Sequence, residues 1–195
     1  DDEILLDMNS HLRKLTLKEI YSIEKIHWFY RYRILALKKL LKLNIKGDNL
    51  NILDVGVGTG TLSKYLHKFG NVTHLEKSVE SIQFAKDVHQ LTVLYGDLPW
   101  ILPVEDYSMD YVILLNTLEY VDNDLWALDN LSRKLKDDGK IIISTLANKQ
   151  LYGYNDKIYG VYRRYDKQSI EKVLRDVGLK IDSYTFFESS IVNSL

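Results

Sequence analysis

The chain has no cysteine, which excludes disulfides, thiolate metal sites and a cysteine nucleophile. It has only two prolines, and no Pro-rich linker, internal repeat or low-complexity tract divides it. No apolar run approaches the roughly 18 residues needed to cross a bilayer. Neither sign of charge dominates. The formal net charge is −1, which argues against a protein built mainly to hold nucleic acid. The opening DDEILLDMNS lacks the basic start and apolar run of a signal peptide, so a cytoplasmic location is expected.

What is present is ordinary in amount but uneven in placement. The 195 residues are 46% hydrophobic and 27% charged, enough for one domain with a sizeable core. Residues 11–46 carry ten Lys/Arg against two acids, whereas residues 51–148 carry eight against fourteen. A basic flank beside an acidic body attracts an anionic substrate or partner; a solvated helix face is the plainer alternative.

Residues 12–43 read as helical, because Ile20, Ile23, Ile26 and His27, then Tyr30, Ile34, Leu37, Leu40 and Leu41, recur at spacings of three and four. From Leu50 short apolar runs alternate with amphipathic stretches. LNILDV, VTHLE, LTVLYGD, MDYVILLN and KIIIST read as strands. TLSKYLHKFG, SVESIQFAKDVH (with Ser78 as N-cap) and NDLWALDNLSRKLKDDG, ending at Gly139, read as helices. The alternation predicts a mostly parallel sheet with helices on both faces. Between Leu146 and Tyr165 the patterning lapses, and five of the fourteen tyrosines gather there with Arg163 and Arg164. A connection this long is usually functional or disordered, and its aromatic density argues against disorder. DKQSIEKVLRDVG and LKIDSYTFF follow as a helix and a strand.

The stretch ILDVGVGTG, Ile52 to Gly60, ends a buried strand on three alternate glycines. Each glycine costs about 0.5–1 kcal/mol relative to alanine in a regular element, so something must come close to this backbone. Ligands of parallel α/β sheets lie outside the carboxyl ends of the strands, and amides at the start of the next helix suit a negative group. The dinucleotide fingerprint needs glycine at 61 after Gly56 and Gly58; the chain has Thr61, its third glycine being Gly60, which disfavours NAD. No Gly-Lys-Ser/Thr follows, which excludes a P-loop.

ILDVGVGTG resembles the first motif of the class I methyltransferases that use S-adenosylmethionine. Other segments match in order: Glu76 ending VTHLE, Asp97 in YGD, DYVILLNTLEYV as the fourth strand and its exit, and LKDDGKIIIST as the fifth. EKIHWFYRYRILAL and LYGYNDKIYGVYRRY further resemble a prokaryotic subgroup of the type 11/12-like enzymes. Two departures stand out. Val161 occupies a position where that subgroup commonly has histidine, and Glu119-Tyr120 replaces a frequent Glu-His pair.

The resemblance implies a Rossmann-like, mostly parallel seven-stranded sheet in one domain. Residues 1–48 would form a helical cap, 49–145 the cofactor-binding core, 146–165 a substrate or lid loop, and 166–195 the last helix and strand. After SYTFF only ESSIVNSL remains. Either the final strand is very short or the chain is truncated; the sixth strand would then lie directly beside the fifth, or a partner would complete the edge. The resemblance also implies the cofactor S-adenosylmethionine, its product S-adenosylhomocysteine and a small-molecule acceptor. Gly56, Gly58 and Gly60 would form the backbone cradle, with Asp54 orienting the turn and facing the ligand's ammonium. Glu76 would bind the ribose, Asp97 and Leu98 the adenine, and Asn116 would lie beneath the methionyl end. Trp28, Arg31, Arg33, Tyr152, Tyr159, Arg163, Arg164 and Tyr165 would line the lid and acceptor pocket; packing roles are the alternative for each. His27, Glu119, Tyr120 and Asp156 are the candidate general bases, needed only if the nucleophile arrives protonated. His11, His67, His74 and His89 show no metal spacing, and no metal is expected. The expected partners include neither nucleic acid nor a membrane span, and the expected state is a monomer or homodimer. A non-catalytic cofactor-binding or regulatory protein is the alternative of another class, since fold does not imply function; a nucleotide-dependent oxidoreductase is the third.

Overall fold

The computed structural model describes residues 15–186. The acidic start and the closing ESSIVNSL lie outside the described residues. Five strands form one parallel sheet: β1 (Leu50–Val55), β2 (Gly70–Glu76), β3 (Val93–Tyr95), β4 (Met109–Leu115) and β5 (Leu135–Ser144). Their order is β3-β2-β1-β4-β5, with every pairing parallel. The order reverses beside β1, so the switch point of the sheet falls between β1 and β4, where such folds open a crevice.

Alternation along β1 sorts its side chains to two faces. Leu53 and Val55 join a core with Leu128, Leu131 and Leu174, from helices α5 (Asp124–Ser132) and α7 (Lys167–Asp176). Ile52 joins the other face with Leu41 and Leu66, from α2 (Trp28–Asn44) and α3 (Ser63–Leu66). Each such fully buried leucine or isoleucine contributes about 1.5–3 kcal/mol. Asp54 shares the Ile52 face by the same period of two, which turns it toward the N-terminal helices.

Four expectations are corrected. The helix over residues 12–43 is two helices, α1 (Leu17–Ile26) and α2, parted at His27. His27 is extended, and its Nδ1 accepts the Phe29 N–H at 3.3 Å to cap α2. The helix over TLSKYLHKFG contracts to the four residues of α3, too short for the aligned amides of a long helix to act on an anion. The helix expected to reach Gly139 ends at Ser132, because Leu135 enters the core and pairs with Met109 as the first rung of β5. Of the expected seven strands, five form among the described residues. LKIDSYTFF shows no ladder through residue 186, although Leu179 and Ile181 pack on the core and Asp182 meets Lys140 of β5 at 2.6 Å. Its alternation therefore marks which side chains face the core rather than a paired strand.

The connection over residues 146–165 contains a helix, α6 (Tyr154–Tyr159), closed by Gly160 in the left-handed region. The remaining helix, α4 (Val79–His89), begins at Ser78, whose side chain accepts the Ser81 N–H.

Candidate active site

Parallel pairing brings the carboxyl ends of β2, β1, β4 and β5 to one edge, and with them Glu76, Asp54, Asn116 and Ser144. The glycine turn crosses this edge. Its three glycines all have positive φ, but for different neighbours. A Cβ on Gly56 would stand 2.2 Å from Thr117 Oγ1, the hydroxyl that donates to Val55 O at 2.9 Å. A Cβ on Gly60 would stand 2.7 Å from the His89 ring. A Cβ on Gly58 would meet nothing within 4 Å. Only Gly58 therefore leaves bare backbone over open space.

Glu76 holds this turn from the next strand. Its Oε2 accepts the Gly58 N–H at 3.1 Å, and its Oε1 accepts the N–H groups of Lys77 and Ser78, each at 2.9 Å. Ionised, it has about four lone-pair sites, so one remains for a further donor. Asp54 and His74 are register partners on β1 and β2, both buried. His74 Nδ1 lies 2.8 Å from Asp54 Oδ2, and His74 Nε2 lies 2.9 Å from His67 Nε2. Partial desolvation and the adjoining His74 hold the His67 imidazole below its usual 6.5, against the pull of Asp54. A row of three side chains thus runs from the turn to an exposed histidine.

A cavity of about 240 Å³ opens between the turn and the N-terminal helices, its floor formed by Asp54, Gly56, Gly58 and Asn116. Leu17, Ile20 and Glu24 of α1 and Tyr30, Arg33 and Ile34 of α2 form its roof. Glu24 Oε2 accepts from Thr59 Oγ1 at 2.8 Å and from Thr61 Oγ1 at 2.9 Å. Tyr21 packs edge-on against Phe84 and His89. α1 has no fully buried residue, so these contacts, rather than a core, seat it over the turn.

Beyond β4, Asn116 takes a left-handed conformation, and its Nδ2 donates to Glu119 Oε1 at 3.1 Å. Glu119 is fully buried, and its other oxygen accepts from Thr145 Oγ1 at 2.9 Å. Burial pushes its proton affinity up, opposed by these bonds and by the Arg33 charge. The Tyr120 hydroxyl is also pushed up, first by burial and then by Glu119.

Residues 53–143 match the family model for a methyltransferase domain. Over 116 residues the chain is 34% identical to the malonyl-(acyl-carrier protein) O-methyltransferase of Pectobacterium atrosepticum, covering 58% of this chain and 46% of that one. Over 152 residues it is 26% identical to the demethylmenaquinone methyltransferase of Oceanobacillus iheyensis, covering 73% and 63%. The fold superposes on a solved S-adenosylmethionine-dependent methyltransferase of Thermotoga maritima with a TM-score of 0.69 at 22% identity, over 85% of this chain and 79% of that one. The stretch matched by the family model is thus similar to a methyltransferase domain, set in the fold that S-adenosylmethionine-dependent methyltransferases share. The chain spans about half the length of the first curated relatives it matches, at 46% and 44%.

The methyltransferase-like core leaves several expected residues away from the cavity lining. Asp97 and Leu98 follow β3, where Asp97 Oδ1 stands 3.9 Å from Lys77. Asp156 is buried and bound by Arg164, 3.0 Å at the closest, and by the Gly153 N–H at 2.8 Å. Arg163 pairs with Asp124 at 2.8 Å, and Tyr165 donates to the same carboxylate at 2.7 Å. The Tyr152 hydroxyl donates to Val161 O at 3.0 Å, and Tyr159 is half-buried in α6. Trp28 and Arg31 are exposed on α2, whereas Arg33 of the same helix lines the cavity. Arg163 and Tyr165 thus fasten the loop to Asp124 of α5, whereas Arg164 and Asp156 brace the loop internally.

Glu24, Thr59, Thr117 and Thr145 escaped the sequence reading, and Thr61 entered it only as the residue that disfavours NAD. Glu24 lies three residues before His27, a spacing that marks only a helix face. The threonines sit among or beside the motif residues, but a hydroxyl there has no distinguishing pattern until its partner is known.

Proposed function

We propose that this chain is an S-adenosylmethionine-dependent methyltransferase. Its acceptor would be a small molecule, sugar-, lipid- or metabolite-like in kind, methylated on an oxygen or nitrogen. The observation that carries the proposal is the bare Gly58 backbone tied at 3.1 Å to the Glu76 carboxylate at the carboxyl ends of β1 and β2, beside the switch point of the sheet. The open space over Gly58 fits a ligand backbone-on, and the remaining acceptor capacity of Glu76 fits a sugar hydroxyl. Asp97 and Leu98 would hold the adenine, Gly56 and Gly60 would shape the turn, and Asn116 would support the methionyl end.

Bound there, the cofactor supplies a methyl group on a sulfonium leaving group. The work left to the chain is alignment and exclusion of water. α1 and α2 roof the cavity for that purpose. Arg33 is half-buried on its wall and forms no salt bridge with any described residue, and its planar guanidinium suits the cofactor carboxylate. Asp54 offers its charge to the ammonium, steadied by His74.

Of the candidate bases, Asp156 is committed to Arg164 and His27 to the Phe29 N–H. Glu119 is turned toward Asn116 and Thr145, which makes it a positioning residue for Asn116. This favours an acceptor that needs no proton removed before attack, such as a carboxylate or a neutral amine. The O-methyltransferase among the relatives supports oxygen. The test is transfer of labelled methyl from S-adenosylmethionine to acceptors in a cell extract. Labelling that disappears in Glu76→Ala supports the proposal; a folded chain that binds the cofactor but labels nothing favours a non-catalytic binding protein instead.

A further inference from the structure

The outer face of α2 has an unusual make-up. Trp28, Tyr32, Leu35 and Leu43 are 64%, 50%, 64% and 59% exposed, and Ile26 beside them is 77% exposed. At about 100° per residue these α2 positions fall within one arc. Lys39 lies inside that arc, and Arg31 and Lys42 border it; all three are exposed. Residues 25–46 contain seven Lys/Arg and no acid. None of the seven forms a salt bridge with a described residue, whereas Lys134, Lys136 and Lys140 elsewhere are each paired with an aspartate.

We propose that this face docks the protein on an anionic lipid surface. An interfacial helix needs an apolar stripe with cations beside it, so that aromatic and aliphatic side chains enter the headgroup boundary while lysines meet lipid phosphates. α2, about 25 Å long by its residue count, presents that arrangement. The aliphatic content separates it from a nucleic-acid surface, where Leu35, Leu43 and Ile26 would find no partner. The acidic remainder of the core would be repelled from the same surface, which fixes the approach to this side. No helix of the described residues is long and apolar enough to cross a membrane, so the attachment is peripheral. The inner face of α2 contributes Tyr30, Arg33 and Ile34 to the cavity. Docking would therefore bring the cavity roof to the lipid surface, where an amphiphilic acceptor concentrates.

Sedimentation of the full chain with vesicles tests this without cofactor or acceptor, so its outcome is independent of the methyl-transfer proposal. The expected result is binding to phosphatidylcholine vesicles containing phosphatidylglycerol, weakened by salt and absent with phosphatidylcholine alone. Lys39→Glu with Lys42→Glu should lower partitioning at least tenfold, at about 1 kcal/mol per cation. Leu35→Glu should lower it similarly, and Lys86→Glu on α4 should leave it unchanged, with thermal melts checking that each variant folds. No binding to anionic vesicles at low salt overturns the proposal, as does binding indifferent to the lysine changes. A stable dimer that Leu35→Glu dissociates would assign the face to a second copy and overturn it equally.

Discussion

Gly56 and Gly58 stand two residues apart with the same sign of φ, yet they are glycines for different reasons. Gly56 yields to Thr117, whereas Gly58 borders open space. Gly56→Ala meets both the backbone penalty, about 1–2 kcal/mol for a left-handed alanine, and the Thr117 contact. Chemical denaturation should therefore find Gly56→Ala less stable than Gly58→Ala, which pays the backbone term alone. Equal losses would mean that Thr117 moves aside freely. The sequence announces all three glycines but cannot divide them, since the division depends on a threonine sixty residues away. Glu119 supplies a second residue-scale prediction. Burial raises its proton affinity, so the folded state favours the neutral form. The stability this provides is complete below the usual value of 4.5 and is lost as pH rises through the elevated folded value. Glu119→Gln should flatten that decline and be at least as stable as the parent near neutrality. A steeper decline in thermal melts across this range would contradict the assignment.

At the scale of elements, the alternation of strand and helix was legible because buried parallel strands are short apolar runs and surface helices carry a repeat near 3.6. Boundaries were not. His27 fits the helical spacing, and only its backbone and cap reveal the break between α1 and α2. LKDD continues a helical pattern, yet Leu135 is claimed by β4. These are tertiary choices overriding local preference. The same break makes α1 a separate element, held over the glycine turn by Glu24 through Thr59 and Thr61. Glu24→Ala should cost about 1 kcal/mol or less in global stability, since the pair of bonds is only partly buried. It should also speed cofactor release several-fold in stopped-flow measurements. Unchanged release would show that α1 is packing rather than a lid.

Over the whole molecule, the chemistry gathers at one edge of the sheet and the exposed cations lie on the outer face of the helices that roof it. The carboxyl edge gathers Asp54, Glu76, Asn116 and the glycine turn, while residues 25–46 carry seven Lys/Arg and no acid. The asymmetry was readable as a count of charges, but its alignment with an apolar stripe required the exposure of each α2 side chain. pH enters at this scale as well. The His67 imidazole lies below its usual value, so it stabilises the fold above pH 6.5 and withdraws that contribution as pH falls through its lower folded value. His67→Gln should blunt acid sensitivity in that window, and an unaltered profile would remove the histidine from the account. The central claim is that the Gly58–Glu76 junction holds S-adenosylmethionine. Titration calorimetry with S-adenosylhomocysteine on the parent and Glu76→Ala proteins tests it most directly. The account predicts one site per chain, weakened about ten- to a hundredfold by the loss of a charge-assisted contact worth roughly 1.5–3 kcal/mol. Absence of binding to the folded parent, or equal affinity in Glu76→Ala, would contradict it.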